Sequence, residues 1–127
     1  MWKAIAAAMF AALLAGCAAH TPILVETAGP KPTVEQADAF IKADLRRNLR
    51  DPDSLRDYAI TRGPELLTAT NFGKNLEQAY VVCVEYNSKN EYGGYTGIQT
   101  HTYALKFSGD SLVRIYGVNW IATDIIC

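Results

Sequence analysis

The chain has 127 residues and a formal net charge of −1, with 20% charged and 50% hydrophobic side chains. That length holds one small domain. The near-neutral balance, with "RRNLR" (46–50) as its one basic block, excludes a nucleic-acid footprint. Of the three cysteines, Cys17, Cys83 and Cys127, none lies in a C-x-x-C pair, which argues against a thiol oxidoreductase.

The first element is a leader. Lys3 precedes an apolar run from Ala4 to Leu14, the layout of a secretory signal. The run is short for a spanning helix, which needs about 18–20 apolar residues, so an uncleaved anchor is the weaker alternative. Leu14-Ala15-Gly16-Cys17 resembles the lipobox of bacterial lipoproteins. The resemblance implies loss of residues 1–16, a diacylglycerol on the Cys17 thiol and acylation of the new terminal amine. Two or more chains make such an anchor stable. The partner implied is therefore a membrane, bound through acylated Cys17. Ala18 follows the cysteine where an aspartate would retain a Gram-negative lipoprotein in the inner membrane. By that resemblance the expected location is the outer membrane, facing the periplasm.

With Cys17 spent on lipid, Cys83 and Cys127 have one possible pairing. The oxidising periplasm favours a disulfide, and two separate buried thiols are the alternative. Residues 17–32 follow the signal as lipidated cysteine and flexible tether, with Pro22, Pro30 and Pro32 giving extended character. The single domain is expected over 33–127.

The domain opens with a helix. Thr33-Val34-Glu35-Gln36 fits the capping box. Val34, Ala37, Ile41, Leu45 and Leu49, with Phe40 beside them, form one apolar stripe. Asp38, Lys42, Arg46, Arg47 and Arg50 occupy the other face, a solvated surface with its arginines at the negative end of the helix dipole. Pro52 ends the helix, and "DPDS" (51–54) reads as a turn.

Strand patterns fill the rest. "RDYAITR" (56–62) alternates and is expected to stop at Gly63-Pro64, leaving 64–76 as a connection without assigned structure. "QAYVVCVEY" (78–86) is the strongest strand, with Tyr80, Val82, Val84 and Tyr86 on one face and Val81, Cys83 and Glu85 on the other. A polar, glycine-rich loop runs from Asn87 to about Thr100. "THTYALKF" (100–107), the turn "SGDS" (108–111) and "LVRIY" (112–116) form a hairpin. The apolar tail to Cys127 is expected to lie back across the sheet and bring Cys127 to Cys83. The fold class expected is α+β, one N-terminal helix packed on an antiparallel sheet of three to four strands.

Two segments, "LRDPDSLRDY" (49–58) and "VVCVEYNSKNEYGGYTGIQTHTY" (81–103), together resemble a family of small exported or lipid-anchored bacterial proteins without an assigned activity. Its pattern joins L-x-D-P-x-S to N-x-K-N-x-[FY]-G-G-Y-x-G. Here it falls on Leu49, Asp51, Pro52 and Ser54, then Asn87, Lys89, Asn90, Tyr92, Gly93, Gly94, Tyr95 and Gly97. This chain carries Val84 where members often have glycine. The resemblance supports the fold and implies no reaction.

Chemistry-bearing residues are sparse. His20 lies in the tether and His101 at the start of a strand, more in keeping with a satisfied strand histidine than a general base. No metal or cofactor spacing occurs, and Asp51 with Asp53 is turn chemistry. The expected function is a lipid-anchored binding or structural module of the cell envelope. Its candidate contact loop is Asn87 to Gly97, where Tyr92 and Tyr95 either offer flat faces to an envelope protein or the cell wall or, the preferred reading, both fold back as anchors of the loop over the sheet. The alternative is a small hydrolase of wall glycan or peptide, which needs Glu85, His101 and an aspartate to converge on one pocket.

Overall fold

A computed structural model describes residues 24–71, 75–116 and Cys127. The stretch read as a leader and Cys17 lie outside the described residues, as does the apolar tail before Cys127. Helix α1 (Val34–Asn48) packs on four antiparallel strands, β2 (Arg56–Asn71), β3 (Asn75–Asn87), β4 (Gln99–Ser108) and β5 (Ser111–Arg114). This is the α+β fold that the periodicities predict.

The helix begins where its capping box places it. The Gln36 amide donates to Thr33 Oγ1 at 3.1 Å and the Thr33 amide to Gln36 Oε1 at 2.9 Å, so both orphan donors are satisfied. Ala37, Ile41 and Leu45 turn inward from the stripe, with Phe40 and Leu49 at its flanks. They meet Val82, Val84 and Tyr86 of β3 and Tyr103 and Leu105 of β4. Alternation along a strand sends every second side chain to the opposite face. There Val81 and Cys83 join Ala69, Ala79 and Ala104 in a second buried cluster. The sheet is thus apolar on both sides, and β3 is its central strand.

The expected break at Gly63-Pro64 does not occur. Strand β2 runs through it for 16 residues, and the stretch left without assigned structure is the far half of a long hairpin with β3. Pairing passes from Arg62↔Cys83 to Glu65↔Val81 with a register shift, so Gly63 and Pro64 form a bulge. Proline has no N–H to give the ladder, and a bulge is where a strand tolerates it. Gly63 adopts a φ of +88°, and a Cβ there would overlap the Val81 carbonyl oxygen. Only glycine fits.

The stretch read as tether also contributes structure. Leu24–Glu26 forms a short strand, β1, parallel to β3 at Leu76 and Glu77. Because β2 holds one edge of β3 along its whole length, β1 occupies the other edge, in line with β4. Beyond it Ala28 and Pro32 are buried, and the Tyr80 hydroxyl donates to the Gly29 carbonyl at 2.9 Å.

Cys83 and Cys127 are joined by a disulfide, their Cα atoms 5.4 Å apart. The Thr102 hydroxyl, across the sheet from Cys83, donates to Cys127 Sγ at 3.0 Å. The bond therefore fixes Cys127 on the face opposite α1.

Candidate functional site

The residues of the two-part pattern come together at one end of the domain, where α1 ends and β3 turns toward β4. Pro52–Ser54 forms a single 3₁₀ turn after α1. In it the buried Ser54 hydroxyl donates to the Asp51 carbonyl at 2.7 Å. The same oxygen accepts the Lys89 amide at 2.9 Å. One serine thus ties L-x-D-P-x-S to the glycine-rich loop. Arg50 reinforces the joint with an ion pair to Glu91 at 3.2 Å.

The loop is closed on itself by its asparagines. Asn90 Oδ1 accepts the amides of Tyr92 and Gly94, at 2.9 and 3.1 Å. Asn87 Oδ1 accepts the Gly97 amide at 3.2 Å. Gly93 and Gly97 take φ values of +78° and +96°, a region that favours glycine. Lys89 and Tyr95 form an antiparallel bridge across the loop.

The two tyrosines part company here. The Arg56 guanidinium covers the Tyr95 ring at 3.4 Å from its centroid, and Lys89 Nζ lies 5.6 Å from it. Tyr95 is an anchor. Tyr92 is 88% exposed, with no hydrogen bond or ring contact to its side chain among the described residues. Ile98, also exposed, adds an apolar side chain to the same loop.

Beside this loop lies a cleft of about 270 Å³ between the C-terminal half of α1 and strands β3 to β5. Its floor is the buried Asp44 carboxylate. Tyr103 O–H donates to Oδ2 at 3.0 Å, Arg114 Nη1 to Oδ2 at 3.4 Å and Arg47 Nη2 to Oδ1 at 3.3 Å. The Arg114 guanidinium sits over the Tyr103 ring at 4.0 Å and the Tyr116 ring at 5.0 Å. Burial, with the hydrogen bond to Asp44 and its charge, pushes the Tyr103 hydroxyl well above its ordinary range, so it stays a donor.

His101 lines the opposite wall, stacked on Tyr86 at 5.0 Å with Nε2 and the Tyr86 hydroxyl 3.0 Å apart. Burial first, then the positive charge of Arg114, hold the His101 pKa below its ordinary value, so the ring is neutral at pH 7. Gln99 links the cleft to the loop: its Oε1 lies 3.4 Å from His101 Nε2, and its Nε2 donates to Thr96 Oγ1 at 2.9 Å.

No family model, curated protein or solved structure matches this chain.

The constellation required by the hydrolase alternative is not assembled. His101 pairs with Val84 and shares the helix face, whereas Glu85 pairs with Thr100 and points from the opposite face. Asp44 does share the cleft with His101, but three donors already hold it. Among the described residues no group of three or more His, Cys, Asp or Glu is placed to hold a metal ion. No described helix is long and apolar enough to cross a membrane.

Sequence reasoning named the loop and missed Asp44, Arg114 and the cleft. The available signal was Asp44 itself, an acid immediately before Leu45 of the buried stripe.

Proposed function

We propose that this protein is a lipid-anchored component of the bacterial envelope, held in the outer membrane by acylated Cys17. Its domain serves as a binding module in the periplasm, and the loop from Asn87 to Gly97 makes the contact. The observation that carries the reading is the contrast within the loop. Asn87, Asn90, Gly93, Tyr95 and Gly97 each hold its shape, while Tyr92 is presented without a partner among the described residues. A fixed loop presenting a free aromatic ring loses little entropy on binding, and tyrosine suits a surface that is half apolar and half polar. The lipobox resemblance at Leu14-Ala15-Gly16-Cys17 supports the location, and the Cys83–Cys127 bond suits an oxidising compartment.

The test places a photo-crosslinking amino acid at position 92 and irradiates intact envelopes. One discrete adduct with an envelope protein or with wall material is expected. Intact mass of the same membrane-extracted protein should begin at Cys17 and carry acyl mass. Tyr92→Ala should change stability by less than about 0.5 kcal/mol and Tyr95→Ala should cost about 1 kcal/mol. A folded protein that yields no adduct from position 92 sinks the contact reading, and an unmodified Cys17 sinks the anchor.

A further inference from the structure

The cleft is lined by residues outside the Asn87–Gly97 loop. The cleft lining carries one carboxylate, Asp44, and one guanidinium, Arg114. Arg47 meets Asp44 from outside that lining, with 65% of its side chain open to solvent. Arg114 is the inner group, at 26%.

Arginine carries five N–H donors in a planar fork. Asp44 takes one of them, on Nη1. Among the described residues no acceptor meets the others. The guanidinium cannot swing freely to find one, because Asp44 holds one edge and the rings of Tyr103 and Tyr116 lie against it. Among the described residues it is an arginine fixed in orientation, partly withdrawn from water, with donors that none of them takes up. That geometry matches the two oxygens of a carboxylate. The same fork also fits a phosphate, which makes inorganic phosphate the competing probe. The rings of Tyr116 and His101 and the side chain of Asn48 supply the flat and polar walls for the body of such a molecule.

We propose that this cleft binds a small molecule bearing a single carboxylate, which docks on the Arg114 donors that no described residue takes up while the ring walls hold its body. Asp44 and Tyr103, which also line the cleft, are positioning residues: Asp44 holds one edge of the Arg114 guanidinium and the Tyr103 ring lies against it. Two sources share this chemistry, a peptide C-terminus and a sugar acid.

The experiment uses the full chain in detergent micelles, labelled so that the Arg114 Nε–H and His101 ring resonances are resolved. The probes are N-acetyl-alanyl-alanine against its C-terminal amide, glucuronate against glucose, and inorganic phosphate. At least one carboxylate should shift both resonances saturably in the millimolar range or below, and its uncharged counterpart should not. Whichever pair responds assigns the source. Arg114→Gln should weaken binding about tenfold or more, the loss expected for a charge-assisted hydrogen bond. That change strips a partner from buried Asp44 and can unfold the domain, so a second variant joins Asp44→Asn to Arg114→Gln and removes both charges together. Failure of both carboxylates to saturate by about 10 mM overturns the proposal. So does equal binding of the amide or of glucose, tighter binding of phosphate, or a folded double variant that binds like the parent. Because the probes are small and the readout is at Arg114, none of these outcomes bears on the loop contact.

Discussion

A carboxylate at position 44 sits beside Leu45 of the apolar stripe, so the helix turns it toward the sheet rather than the solvent. Burying it is tolerable because three donors meet it, two of them cationic. One of those donors, Arg114, lies 70 residues away in sequence, a pairing that no local pattern displays. The cleft was therefore illegible from the chain, although the odd acid at the edge of the stripe was in view. His101 shows the same dependence on tertiary surroundings. Its setting favours the neutral ring through burial and through the Arg114 charge. The unfolded chain then takes up a proton before the folded one does as pH falls. Folded stability should decline as pH drops below 6.5, the ordinary value, and level off once the folded ring has titrated. Urea melts between about pH 5 and 8 should show that decline, and His101→Gln should flatten it over the same range. A variant with the parent's slope would assign the dependence to other groups.

At the scale of elements, most of what lies within one period was legible, although Val34, read into the stripe, is half exposed. The Thr33–Gln36 capping box, the buried Ala37, Ile41 and Leu45, and the alternation of β3 each follow from a period within one segment. Gly63-Pro64 misled because both residues signal a stop, and only the partner strand reveals that a bulge can absorb them. The loop was legible as a glycine-rich connection. Its joint to the 3₁₀ turn was not, since Ser54 and Lys89 are 35 residues apart. That joint predicts a measurable effect. Ser54→Ala removes the acceptor of the Lys89 amide and the donor to the Asp51 carbonyl. Stability should fall by about 1–2 kcal/mol. Amide exchange should quicken at Lys89 and along the loop, while α1 amides such as Ile41 slow or quicken only with global stability. Unchanged protection at Lys89 would show that the turn and the loop are held together by something other than Ser54.

At the scale of the molecule, the sheet has an apolar cluster on each face and one described helix to cover them. The helix covers the face of Val82 and Val84; Cys83 lies between those two residues and points the other way. The disulfide is thus placed to hold Cys127 against the second face of the central strand. Its ends are 44 residues apart in sequence. Closing a loop of that length in the unfolded chain corresponds to about 4 kcal/mol in the chain-entropy model. A small domain has a net stability of only about 5–15 kcal/mol, so the bond is a large share of it. The expected outcome is a drop of about 2–5 kcal/mol for Cys83→Ala combined with Cys127→Ser, alanine being chosen so that no hydroxyl is buried in the apolar cluster. Reduced parent protein should unfold at nearly the same urea midpoint as this double variant. If the two midpoints match the oxidised parent instead, the second face is stable without its tether, and the bond would be ornamental to the fold.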